Sequence, residues 1–593
     1  MRRNKSLWTV FGLLLATVVL IMLGQFLTGQ ESTSTKNTTT ENKKEVNTYD
    51  DENYHLADNS ALYETTSRTD VRTMYLTIGS GTQSDNTNHT WSEVNGLSVY
   101  DYEKMGVARY KVNAILQVGD ENGPTAGALG YDAQTPNVTV QVRGQSSSRN
   151  VQKNYKIAIK SDKGTYYGQT TINLNKHQTD GLRFRNMMAY TLLQDIPQLL
   201  SLRTEFVHLY VKDPNSSTPD QFVDYGLYTQ VEQLNNAGKK AHNLDTSGQL
   251  YKINEFEFYE DDDIKLTSDS DYDKEAFEAK IEIKGSDDHT KLIDLIDKVN
   301  NSSLDFDEVL DENLDRTNLA YWMAFNILMG NHDTQSRNMY LYSPLNSERW
   351  YFIPWDNDGS LFANEYKIRG KLGDADWETG ISNYWGNLLF RRALKTESFR
   401  NELKAAVEDL RNNYITDTKV VSLSTELSSV VKPYLTSQPD NQYWGVTSTQ
   451  YQEVLDGLPS EINQNRQSFY DSFEKPMPFF IGTPTKAAGK MKLSWDASYD
   501  FDKEDITYTV EVSTDYNFAT TIFKQENISL TSVTTNLPAA GQYYVRVKAT
   551  NESGKSQYAF DYYVTSDSQK VTGVKSFFVN SDGSIKEDTH ESN

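Results

Sequence analysis

A chain of 593 residues exceeds what one hydrophobic core supports, so at least two folded units are expected, and 37% hydrophobic with 12% aromatic residues supply material for them. With 58 basic and 82 acidic residues the formal net charge is −24, which disfavours nucleic acid as a partner. The absence of cysteine excludes disulfides, thiolate metal sites, iron–sulfur clusters and a cysteine nucleophile, and eight histidines argue against a His-rich metal cluster.

Residues 1–30 come first. Arg2, Arg3 and Lys5 precede an uncharged run whose apolar centre, 7–27, would span ~32 Å as a helix. The run reads as a signal anchor crossing the cell membrane once, with the charge bias placing the bulk of the chain outside. A secreted protein left after signal cleavage is the alternative. Residues 31–67 are polar and low in complexity and read as a disordered stalk.

From 68 to 474 strand-like and helix-like segments alternate without a repeat, which predicts one large α+β unit. Strands are predicted at 71–79, 107–118, 137–144 and 153–160, and helices at 317–330 and 398–414. Residues 475–484 contain three prolines and read as a linker. The alternating segments MKLSW, ITYTVEVS and YYVRVKA then predict an all-β sandwich over 485–567 that resembles a fibronectin type III module, followed by a polar tail, 568–593.

The stretch richest in chemistry runs from 318 to 362. An apolar helix feeds the loop GNHDTQSRN at 330–338, two strands form a hairpin, and PWDND at 354–358 returns beside the first loop. Protein kinases use that order: a loop Asp accepts the acceptor-hydroxyl proton, an Asn five residues on binds Mg²⁺, and a hairpin delivers a metal-binding Asp. Asp333, Asn338 and Asp356 occupy those positions. The structural alternative is that these residues cap turns. Upstream, RGQSSSRNVQKNYKIAIK at 143–160 turns through Gly144 and three serines into a strand, the layout of a phosphate loop followed by a lysine-bearing strand. Alternation places Lys153 with Tyr155 and Ile157 on the inner face and leaves Lys156 as a solvated lysine.

Together RGQSS with KNYK, YGLYTQVEQ at 225–233, GNHDTQSRNMYLY at 330–342 and PWDNDGSLF at 354–362 resemble the CotH kinases, a family named for a bacterial spore-coat protein and built on an atypical protein-kinase-like fold. The resemblance implies ATP- and Mg²⁺-dependent phosphorylation of Ser or Thr on an unknown protein substrate. Carried over by position, Asp333 is the catalytic Asp. Gly144, Ser146, Ser147 and Lys153 hold the nucleotide phosphates, and Glu232 lies near the nucleotide, a surface or core-edge Glu being the alternative. Asn338 and Asp356 are metal ligands, with Asp358 as a second choice. A non-catalytic surface adhesin on the same platform is the rival reading.

Two further features resolve differently. The acidic run at 255–275 fails as an EF-hand, because its sixth position from Asp269 is Lys274, so it reads as a surface loop. Arg183 and Arg185 read as exposed arginines at a helix end.

Overall fold

The computed structural model describes residues 56–65, 67–371, 375–566 and 569–588. The predicted anchor at 1–30 lies outside them, and no helix among the described residues is long and apolar enough to cross a membrane.

The first layer is a sheet of eight strands: β1 (Val71–Gly79), β2 (Val112–Asp120), β3 (Gly123–Pro124), β4 (Val138–Arg143), β5 (Asn154–Ile159), β6 (Thr171–Asn175), β7 (Thr204–Lys212) and β8 (Val223–Glu232). Their order is β1-β7-β8-β6-β5-β4-β2-β3, and β1 pairs with both β7 and β2, so the sheet closes on itself. Alternation fills the interior. Met74, Leu76, Val140, Val142, Tyr155, Ile157, Leu174 and Leu209 form one buried cluster there, capped by Trp91 and Val94 of the short helix Trp91–Gly96.

The second layer is helical around a small sheet of β9 (Gln249–Ile253), β10 (Ile281–Ile283), β11 (Met339–Ser343) and β12 (Tyr351–Pro354), ordered β10-β9-β11-β12. Its central helix, Arg316–Leu328, is buried on nearly every side, as its apolar run LAYWMAF at 319–325 requires. Asp315 caps it by accepting from Asn318 N at 2.8 Å. The predicted helix at 398–414 forms as Glu397–Asp409 and continues as a π-turn over Leu410–Tyr414.

The C-terminal sandwich stacks β13 (Thr485–Ala487), β14 (Lys490–Ser494) and β17 (Ser532–Asn536) against β15 (Thr507–Ser513), β16 (Thr521–Ile528), β18 (Gly541–Thr550), β19 (Ser556–Tyr558), β22 (Val574–Val579) and β23 (Ile585–Glu587). A small hairpin of β20 (Tyr562–Val564) and β21 (Lys570–Thr572) interrupts the last edge. The sandwich therefore continues past 567. The expected polar tail carries β22, whose Val574 and Phe577 are buried because they pack against β18.

The expected linker at 475–484 is also structural. Phe479 and Ile481 enter the sandwich core, and Met477 N donates to Tyr499 O at 2.7 Å. Trp385 of the helical layer packs 5.3 Å from Tyr499 and 5.7 Å from Phe501, with Lys395 over Tyr499 and Arg400 over Phe501. A Trp385→Ser chain is expected to lose ~3 kcal/mol of stability through the cavity it leaves. Unchanged denaturant unfolding would show that this interface contributes nothing.

Residues 56–65 correct the stalk boundary of 67. Leu56 is buried in the main core and Asp58 is hydrogen-bonded to Ser201 N at 3.0 Å.

Candidate functional site

The hairpin β11–β12 sets the geometry of the two acidic loops. Met339 pairs with Pro354, so Asn338 and Asp356 emerge as near neighbours at its open end. Both have left-handed backbones at φ +57°, a region tolerated best by Asn and Asp among non-glycine residues. The loop carrying Asp333 abuts the loop carrying Asp356. Leu361 N donates to Met329 O at 2.8 Å, and a Cβ on Gly359 would lie 2.8 Å from Asn331 Oδ1. Asp333 itself is exposed, on the 3₁₀ turn His332–Thr334. That turn is held by Asn383 Nδ2 donating to His332 O at 3.0 Å and by Thr334 Oγ1 donating to Asn331 O at 2.9 Å.

Asp356 accumulates unfavourable electrostatics. Burial and the neighbouring charge of Asp358 push its carboxyl up to about 7, against the pull of Arg143, Lys252 and His177. Its N–H donates to Tyr190 Oη at 3.2 Å. His177 Nδ1 lies 3.4 Å from Asp358 Oδ2 and fixes the second carboxylate at the rim. Two crowded carboxylates beside a buried Asn357 whose amide atoms lack a protein partner suit a divalent cation, because a cation relieves the repulsion that raises Asp356. Among the described residues no group of three or more His, Asp or Glu side chains could hold a metal alone, so phosphate oxygens or water would complete the shell.

Opposite stands a basic wall. β4, β5 and β6 run in register as Gln141–Lys156–Asn173 and carry Arg143 on the same edge. The Arg143 guanidinium binds Asn175 Oδ1 and lies 6.0 Å from the Trp355 ring. Across the gap, Lys252 on β9 and Lys284 just beyond β10 flank Glu282, which forms an ion pair with Lys284 and lies 3.9 Å from Lys252. Burial lowers the pKa of Lys156, reinforced by Lys284 and opposed by Glu282. Burial likewise lowers that of Lys252, opposed by Glu282 and Asp356. Lysines that lose water without a full set of counter-charges suit a polyanionic ligand.

Several sequence expectations change here. Lys153 precedes β5, so strand alternation does not aim it. Its Nζ donates to Ser148 O at 2.6 Å and staples the loop at 144–150. Lys156 is half-buried instead of fully solvated, with Glu282 and Lys284 of the second layer among its charged neighbours. Glu232 is fully buried, accepting from Arg203 Nε at 3.0 Å and from His242 Nε2 at 2.9 Å, which leaves no surface for a nucleotide. Arg183 and Arg185 are buried rather than exposed. Arg185 pairs with Glu365 at 2.7 Å and donates from Nε to Leu361 O at 2.9 Å, buttressing the Asp356 loop. Ser146 is exposed, while Ser147 Oγ accepts from Asn154 Nδ2 at 3.1 Å. Gly144 has φ +91° and a Cβ there would meet Ser147 Oγ at 2.1 Å, so the turn needs glycine.

Arg143, Lys252, Lys284, Glu282, His177 and Tyr190 escaped the sequence reading. Only two carried a signal: Arg143 stands in the RGQSS motif, and Lys252 is one half-buried cation among buried Leu250, Tyr251 and Ile253.

A family model described as CotH kinase protein matches residues 140–469, more than half of the chain, and spans the basic wall, both acidic loops and the hairpin between them. The chain belongs to the CotH kinase family. A search of curated proteins returned no match. In this CotH family member the matched segment begins inside β4 and ends in the long helix Ser448–Asp471, leaving the sandwich outside it.

Proposed function

We propose that this chain is a surface-anchored kinase transferring the γ-phosphate of ATP, bound with Mg²⁺, to Ser or Thr hydroxyls of proteins. One observation carries the reading. In a protein of net charge −24, Arg143, Lys156, Lys252 and Lys284 converge on one cleft whose far side holds Asp356 and Asp358. A nucleotide triphosphate with a divalent cation matches both halves of that charge pattern.

In this scheme Arg143, Lys156 and Lys252 position the triphosphate, and Glu282 gives up its cations to the incoming anion. Asp356 and Asn338, with Asp358 as a further donor, hold Mg²⁺, which supplies neutralisation of phosphate charge. Asp333, exposed at the mouth, accepts a hydrogen bond from the acceptor hydroxyl, orients it and takes its proton as the new P–O bond forms and the bond from the γ-phosphorus to the bridging oxygen breaks, releasing ADP. The remaining catalysis is positioning in a partly desolvated site. The surface location rests on the charged, then apolar, pattern of residues 1–30. We read the C-terminal sandwich as fibronectin type III-like, which the strand orders β13-β14-β17 and β16-β15-β18-β22 support.

The test is to incubate the full chain and its Asp356→Asn variant with labelled ATP, Mg²⁺ and protein acceptors. Label transferred by the wild type alone is expected. Equal label in both, or no transfer and no bound nucleotide in either, would favour the adhesin. A companion calorimetric measurement separates the lysines. Lys156→Ala and Lys252→Ala should each weaken Mg·ATP binding by about 10- to 100-fold, whereas Lys153→Ala should change it less than about two-fold.

A further inference from the structure

We infer that Asp58, on the segment leading into the folded chain, is a positioning residue for the nucleotide cleft, acting through His242 and Glu232 on Gln233. The inference rests on the kinase reading above.

The chain of contacts is continuous. Asp58 Oδ1 lies 2.7 Å from His242 Nδ1, and Asp58 Oδ2 accepts from Ser201 N at 3.0 Å and from Tyr63 Oη. His242 Nε2 reaches Glu232 Oε2 at 2.9 Å, and Arg203 holds the same carboxylate from its backbone N–H and guanidinium. Carboxylates face both ring nitrogens, so His242 must donate from both and carry a charge. The buried set then balances, with Asp58 and Glu232 against His242 and Arg203. Half of the negative charge comes from the entering segment.

Glu232 ends β8, and the next residue, Gln233, crosses to the second layer. Gln233 Oε1 accepts from Asn173 Nδ2 at 3.2 Å, and its Nε2 donates to Tyr340 Oη at 3.1 Å. Asn173 is the register partner of Lys156, and Tyr340 is the register partner of Lys252. One glutamine therefore ties β6 to β11, the strands hydrogen-bonded to the two that present the cleft lysines. Its place is set by a Glu232 fixed through His242 and Asp58. Removing Asp58 leaves a surplus buried cation next to the crossing and frees His242 to titrate, with Glu232, Arg203 and Tyr63 as the remaining groups around it.

The experiment compares full-length wild type, Asp58→Asn and Asp58→Glu by Mg·ADP affinity between pH 6 and 8 and by amide exchange over β11. Asp58→Asn should weaken Mg·ADP by about five-fold, add a second pH dependence to the one that Asp356 gives the wild type, and speed exchange over Met339–Ser343. Asp58→Glu should restore all three. If Asp58→Asn lowers the melting temperature but leaves affinity, pH profile and β11 exchange unchanged, the inference is overturned. If the wild type binds no nucleotide, the kinase reading falls and β11 exchange alone decides this one. Should Asp58→Asn fail to fold, Tyr63→Phe, which removes only one hydrogen bond to Asp58, must give the same changes in smaller measure. No change in that variant also overturns the inference.

Discussion

Replacing Asp356 by Asn is expected to abolish phosphate transfer, by about 10³-fold or more, and yet to stabilise the nucleotide-free chain. The two effects share one cause. Burial and the charge of Asp358 hold the Asp356 carboxyl near 7 against an ordinary value of 3.8, so the folded state binds its proton more tightly than the unfolded state. Such a group costs nothing at low pH. The cost grows as pH rises from about 4 and is complete above about 7, where relief by an amide should raise stability by ~2 kcal/mol. A divalent cation relieves the same repulsion. Mg²⁺ should therefore raise the wild-type melting temperature more at pH 8 than at pH 6, because at pH 6 it must displace a proton. Asp356→Asn should respond at neither pH. An equal Mg²⁺ shift in the variant would place the cation elsewhere.

Glu232→Ala is expected to cost about 3–5 kcal/mol, because it removes the carboxylate that Arg203 and His242 share and leaves the two buried cations with only Asp58 to balance them. The pH dependence of the intact network has a definite sign. Burial opposes the His242 charge, but Glu232 and Asp58 outweigh it and raise His242 to about 9. That contribution is fully present below pH 6.5 and fades as pH rises through 9. Burial would raise Glu232, yet His242 and Arg203 hold it down to about 2. Its contribution is present above about 4.5 and is lost as pH falls toward 2. Wild-type unfolding free energy should hence change little from this network between pH 5 and 6.5 and decline at the alkaline end. Glu232→Ala should lose that alkaline decline. A variant with wild-type stability would mean that the buried charges are solvated in a way the geometry does not allow.

Legibility from sequence followed locality. β1 forms over 71–79 as predicted, and the hairpin β11–β12 lies where turn and alternation signals put it, because period-2 patterning and turn chemistry are written in adjacent residues. The loops holding Asp333 and Asp356 meet for the same reason. What failed was long-range. Lys156 looks solvated until Glu282 and Lys284, from a distant part of the sequence, come close enough to act on its charge. Glu232 looks available until Arg203, His242 and Asp58 converge on it from separate segments. The helices Asp417–Leu435 and Ser448–Asp471 contain Pro433 and Pro459, residues that local rules read as breaks and that packing overrides. The strand after 567 was missed because an inserted hairpin separates the two segments that pair with β18.

The central claim is that the cleft between the closed sheet and the second layer holds a triphosphate against Arg143, Lys156 and Lys252. A crystal structure of the chain grown with Mg²⁺ and a non-hydrolysable ATP analogue tests it most directly. The phosphates should lie on those three side chains with Glu282 released from Lys252 and a cation on Asp356 and Asn338. An analogue bound elsewhere, or a saturated crystal whose cleft still holds only the Glu282 ion pairs, would contradict it.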